Sequence, residues 1–308
     1  IFTLRWRRIA ILLLQISVHV GRPPYGATDR APQRFPVARR SLSRALRWHR
    51  AKNDRKGGMS NALRSALAFQ IDGEHRPGRW LVTCDHASNR VPPWVNGGDL
   101  GIPAEDMARH IAWDVGAAGV ARDLGRLLDS PVILSDFSRL VIDPNRGEDD
   151  PTLVMQLYDG TIIPANRHIT PAGIEERLDR LYRPYHAAYA RLAALRPDRV
   201  IVAVHSFTPC LKGRLPRPWH VGVLYSHLDE RFSKPLIARL AQEPDLCVGD
   251  NEPYSGHLPG DAIDRHALRL GRMNTLIEVR NDLIGTQAQQ AHWATRLAPM
   301  LTEVMESL

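Results

Sequence analysis

Short apolar runs alternate along this chain with longer stretches of helical periodicity, the pattern of an α/β fold. Trp80-Leu81-Val82-Thr83, Val132-Ile133-Leu134, Arg199 to Val204, His220 to Tyr225 and Thr275-Leu276-Ile277 read as strands. The spacing predicts helices over Glu105 to about Leu128, from Thr170 to about Leu195, over Glu230 to Ala241 and over Thr286 to Glu306. Thr170 suits an N-cap, and Pro171 after it suits a first helical turn. After Met59 there is no internal repeat, no low-complexity linker and no second core. One α/β domain over 59–308 is the reading.

Three of the predicted strands end in residues that carry chemistry. Trp80-Leu81-Val82-Thr83 runs into Cys84-Asp85-His86, the Val204 strand into His205-Ser206, and the Ile277 strand into Glu278-Val279-Arg280. Open α/β sheets bind ligands beyond the carboxyl ends of their strands. Two imidazoles and a carboxylate delivered there suit a metal-assisted hydrolase, in which a metal polarises a carbonyl and a carboxylate moves the proton.

The net charge of +8 suggests an anionic partner until it is located. Residues 1–58 hold fourteen Lys and Arg against two acids, whereas 59–308 hold 27 basic against 31 acidic residues. The excess lies upstream of the domain, and no nucleic acid is expected for 59–308. Segment 1–58 has three readings. It is a secretory leader (arginines before Ile9 to Leu14), a basic arm for nucleic acid or a membrane surface, or a stretch upstream of a true start at Met59. The last is adopted, so 1–58 is set aside as a disordered or non-native extension. No apolar run reaches the roughly 20 residues of a membrane span. Cys84, Cys210 and Cys247 are too few and scattered for a disulfide framework, which suits a cytoplasmic protein. No Gly-x-Gly-x-x-Gly or Walker-type loop signals a nucleotide.

Six segments then occur in order. They are Cys84 to Asn89, Ala112-Trp113-Asp114-Val115-Gly116-Ala117, Ser138 to Arg146, His205 to Pro209, Asn251 to Ser255 and Ile277 to Leu283. Together they resemble the N-formylglutamate amidohydrolase family over roughly residues 75–290. The resemblance implies a single three-layer α/β domain with a mixed central sheet, similar to zinc carboxypeptidases and the wider phosphorylase/hydrolase-like folds. It also implies Zn²⁺ and a small N-acyl amino acid as substrate. His86 and His205 would be metal ligands and Glu278 the catalytic acid/base. Arg139, Asn145, Arg146 and Arg280 would grip the substrate carboxylate, since guanidinium pairs bidentately with it.

The first motif departs from the carboxypeptidase pattern, because Asn89 stands where a carboxylate ligand belongs. The third donor is therefore Asn89 through its carbonyl oxygen, or one of the acids Asp85 and Asp114. Salt bridging to Asp136, Asp143 or Asp282 is the plainer role for the arginines, a place on a helix face the plainer one for Asp114. His257 and His266 are candidates for stabilising an oxyanion. A zinc peptidase or a deacylase for another N-acyl amino acid would use the same metal and clamp.

Overall fold

The computed structural model describes residues 67–308. The expectations for 1–58, and the boundary before Met59, lie outside these residues. Among the described residues there are nine strands: β1 Phe69–Asp72, β2 Trp80–Cys84, β3 Val132–Ser135, β4 Leu157–Tyr158, β5 Thr161–Ile162, β6 Val200–Phe207, β7 Val221–Leu224, β8 Val248–Asp250 and β9 Asn274–Arg280. Seven form one sheet in the order β1-β3-β2-β6-β9-β7-β8, and β4 and β5 form a separate hairpin. The central run β3-β2-β6-β9 is parallel, β1 is antiparallel to β3, and β7 is antiparallel to β9. The sheet is mixed, as expected.

The main helices are α1 Ala104–Met107, α2 Ala117–Leu127, α3 Pro164–Arg167, α4 Pro171–Arg177, α5 Arg183–Ala194, α6 Ser233–Leu240, α7 Ala262–His266 and α8 Gln287–Glu306. Period-two alternation divides the core into two apolar layers. Leu81, Ile133, Ile201 and Leu276 pack with α5 and α7, while Val82, Leu134, Val202 and Ile277 pack with α2, α6 and α8. Truncating a fully buried residue such as Leu124 to alanine should cost about 2–5 kcal/mol. Thr170 accepts from the Gly173 amide and starts α4 as expected, and Thr286 with Gln289 forms a capping box for α8.

One expected helix is broken. The segment 105–128 contains α1 and α2, separated by turns at 108–116. Gly116 has φ of 82°, and a Cβ there would lie 2.2 Å from Ile284 O, so only glycine fits. The break takes Asp114 off any helix face and ties its N–H to His86 O at 2.9 Å.

The path 137–145 is irregular yet buried throughout. Its carbonyls need partners, and side chains supply them. Asn166 donates to Leu140 O at 2.7 Å, Arg177 to Val141 O at 2.6 Å and His186 to Pro144 O at 3.0 Å. Between α4 and α5 the backbone widens into a π turn, Leu178–Tyr182, and Tyr182 donates to Arg146 O at 2.6 Å. This helix therefore holds the loop that carries Arg139, Asp143, Asn145 and Arg146.

Candidate metal centre and active site

The carboxyl ends of β2, β6 and β9 lie side by side in the sheet, so the residues that close them meet. His205 is directly opposite Glu278 in the register, and Asp85 and His86 follow β2 at once. The loop before α2 adds Asp114. Donor atoms of His86, Asp114 and His205 all lie within 4.8 Å of one another, and all three residues are buried.

The orientation of each ring is fixed from behind. His86 Nε2 is 2.7 Å from Asp143 Oδ1, and its Nδ1 is 3.3 Å from Asp114 Oδ2. His205 Nδ1 is 2.8 Å from the same Asp114 oxygen. A carboxylate can only accept, so Asp143 holds the Nε2–H of His86 and leaves Nδ1 turned toward Asp114. Arg139 in turn donates to Asp143 Oδ2 through Nε at 3.2 Å and an Nη at 2.9 Å.

Electrostatics follow from burial and from these pairings. Burial alone would raise Asp114, but the two imidazoles outweigh it and hold the carboxyl far below the usual range. Burial would likewise lower His205, yet Asp114 and Asp85 raise it well above an ordinary histidine. Asp143 is held low by Arg139 and His86 against the same burial penalty. Glu278 goes the other way. Burial pushes it up to about 7, and its Oε2 has no hydrogen-bond partner among the described residues.

These residues fit a divalent cation. A tetrahedral zinc site with bonds of about 2.0–2.1 Å places its donors about 3.3 Å apart, close to the 2.8 and 3.3 Å spacings around Asp114 Oδ2. Asp85, Asp114 and Asp143 are buried carboxylates, and Arg139 is the buried guanidinium among them. That excess of negative charge calls for a cation.

The donors open onto a cavity of about 330 Å³ lined by Arg139, Asn145, Arg146, Tyr158, Phe207, Tyr254, Leu276 and Glu278, among others. Comparison with known proteins settles the family. The model for N-formylglutamate amidohydrolase matches residues 78–285. The chain belongs to the N-formylglutamate amidohydrolase family. Every residue of the donor set, the loop and the β9 end lies within that span. A crystal structure of gene product Atu2144 from Agrobacterium tumefaciens is 32% identical at a TM-score of 0.75, covering 80% of this chain and 97% of that one. The N-formylglutamate amidohydrolase from Ralstonia eutropha JMP134 is 19% identical at a TM-score of 0.56, covering 79% of this chain and all of that one. No curated protein matches significantly.

Within this amidohydrolase-family domain, the expected residues divide. His86, His205, Glu278, Arg139, Asn145 and Arg146 are brought to the cavity. Asn89 is not: it does not line the cavity, and its amide donates to Met107 O at 2.9 Å, while Asp114 takes the place beside the histidines. Arg280 is also directed elsewhere, to Asp282 at 2.8 Å and the Trp219 carbonyl at 3.3 Å. Arg139 lines the cavity but is tied to Asp143, the salt-bridge role weighed for it. His257 lines the cavity and pairs with Ser226 Oγ at 2.7 Å, whereas His266 is packed against His186 instead. The residue that sequence reasoning undervalued is Asp143. Its signal was its position inside the quoted Ser138–Arg146 motif, two residues before Asn145. His110, Tyr158 and Asp261 also line the cavity, and no motif marked them.

Proposed function

We propose that this chain hydrolyses the amide of an N-formyl or other N-acyl amino acid, such as N-formyl-L-glutamate, releasing formate and the free amino acid. The carrying observation is the convergence of His86 Nδ1, His205 Nδ1 and Asp114 beside Glu278, whose Oε2 has no hydrogen-bond partner among the described residues, in a chain of this family. His86, Asp114 and His205 would hold zinc, which when bound supplies a Lewis acid and lowers the pKa of water.

The protein's own groups then have distinct tasks. Glu278 takes a proton from the attacking water and delivers it to the leaving nitrogen. A buried carboxyl beside the donors is placed to serve both steps. Arg146 and Asn145 grip the substrate carboxylate at the cavity wall. Asn145 is steadied there by its own contacts, its N–H on Asp143 Oδ1 at 2.9 Å and its side-chain oxygen on the Ala262 amide at 3.2 Å. Arg139 keeps Asp143 charged and aimed at His86. The cavity of about 330 Å³ sits at the small end of ligand pockets, which favours a short N-acyl amino acid over a peptide.

The test is formate release from N-formyl-L-glutamate by the purified protein, with zinc supplied and with chelator. Zinc-dependent release is the expected result. Folded, zinc-loaded protein without turnover would discard this substrate and call for a panel of N-acyl amino acids. Turnover unaffected by chelation would show that the reaction needs no metal.

A further inference from the structure

The donor His205 has a second contact that the proposed reaction does not itself use. Its Nε2 faces Asp85 Oδ2 at 3.4 Å, and the other oxygen of Asp85 accepts from the Tyr185 hydroxyl at 2.6 Å. Tyr185 is fully buried on α5, just after the π turn, and reaches back 100 residues in sequence to make this bond. Neither Asp85 Oδ2 nor His205 Nε2 has a hydrogen-bond partner among the described residues, and the two atoms face each other in the ion-pair contact at 3.4 Å.

We propose that Tyr185 is a positioning residue for the metal donor His205, acting through Asp85. The inference rests on the metal reading above. The Tyr185 hydroxyl fixes one carboxylate oxygen, which fixes the rotation of the Asp85 carboxylate. The second oxygen then faces Nε2, keeps the proton on that nitrogen, and leaves Nδ1 turned toward Asp114. Metal-binding histidines commonly donate their distal N–H to a carboxylate in this way, and loss of such a partner weakens metal binding. The tyrosine extends the chain of control one residue further, from the metal site to a helix on one face of the sheet. π turns occur often beside functional sites, because they shift which side chains face inward.

Tyr182 provides a matched control on the same helix face. It too is fully buried, and its hydroxyl donates at 2.6 Å, but to the Arg146 carbonyl and not to a carboxylate behind a donor histidine. Deleting the Tyr185 hydroxyl removes one buried hydrogen bond, and deleting the Tyr182 hydroxyl removes two part-buried ones, to Arg146 O and from Arg265 at 2.9 Å. Only one deletion loosens His205.

The experiment is zinc and cobalt titration of the metal-free full chain as wild type, Tyr185→Phe, Tyr182→Phe and Asp85→Asn, with melting curves of each metal-free protein. Tyr185→Phe is expected to weaken zinc by about 10–100-fold and to shift the cobalt absorption bands, with Asp85→Asn at least as severe. Tyr182→Phe should stay within threefold of wild type, although both tyrosine variants melt slightly earlier. Imidazole nitrogen spectra of the metal-free protein should show a proton on His205 Nε2 that exchanges faster in Tyr185→Phe. Wild-type zinc affinity in Tyr185→Phe or in Asp85→Asn would overturn the proposal, as would equal weakening in Tyr182→Phe. A wild-type chain that binds no zinc would overturn the metal reading, and this proposal with it.

Discussion

Among the described residues four histidines are buried, in two pairs whose ring centroids are each 5.1 Å apart. His86 and His205 stand nearly edge to face, at 75°, with both Nδ1 atoms turned to Asp114. His186 and His266 are stacked at 21° and bonded directly to each other at 2.8 Å. The His186 Nε2–H donates to Pro144 O, so its Nδ1 accepts from His266, and His266 lies on Tyr189 at 4.0 Å. Burial is similar in the two pairs, and what differs is the company. Carboxylates surround the first pair and raise His205, whereas burial dominates at the second and lowers His186 to about 3 and His266 to about 4. One pair converges on a shared carboxylate, and the other is a neutral strut behind the Pro144 loop.

Asp114 is where the two pairs differ most. Asp114→Ala should abolish measurable zinc binding in calorimetry, an effect beyond the 10–100-fold expected for losing an outer-shell partner. Retained zinc would mean that the two imidazoles converge for another reason. Glu278→Gln is next. It should lower turnover by roughly 10²–10⁴-fold while zinc affinity holds, and unchanged turnover would remove Glu278 as the acid/base.

The second pair is tested by pH. Below pH 6.5 the unfolded chain protonates histidines that the folded chain keeps neutral. Stability from this pair is therefore complete above pH 6.5 and is lost as pH falls toward 4 and then 3. His266→Phe keeps a ring on Tyr189 but removes one titrating group. Urea unfolding between pH 6.5 and 4 should show a slope shallower than wild type by up to about 1.4 kcal/mol per pH unit. An identical slope would mean that His266 is protonated in the fold.

The smallest effect is expected at Asn89. Asn89→Ala loses a bond to Met107 O, worth about 1 kcal/mol of stability, and should leave zinc affinity unchanged within a few-fold. A large loss of zinc would restore Asn89 as the third donor.

Much of this was legible in the chain. The apolar runs ending in His86, His205 and Glu278 are local signals, and they gave both the strands and the residues that close them. The third donor was not settled, because it depends on a helix break. The periodicity from Glu105 to Leu128 hid that break, although Gly116 marks it. For Arg139 and Arg280 the acceptors Asp143 and Asp282 stand close by in the chain as salt-bridge partners, but spacing does not choose between them and a substrate. The acceptor of Asn89, Met107 O, is a backbone atom 18 residues away that spacing does not report. The short strands β1, β4, β5 and β8 were missed as well, since two to four residues carry too little pattern.

The most direct test is a crystal structure of the zinc-soaked protein with anomalous data at the zinc edge. One strong peak is expected about 2.0–2.2 Å from Nδ1 of His86, Nδ1 of His205 and a carboxylate oxygen of Asp114, with Glu278 facing it. A peak held by Asn89, or one that leaves Asp114 bound only to the histidines, would contradict this donor set.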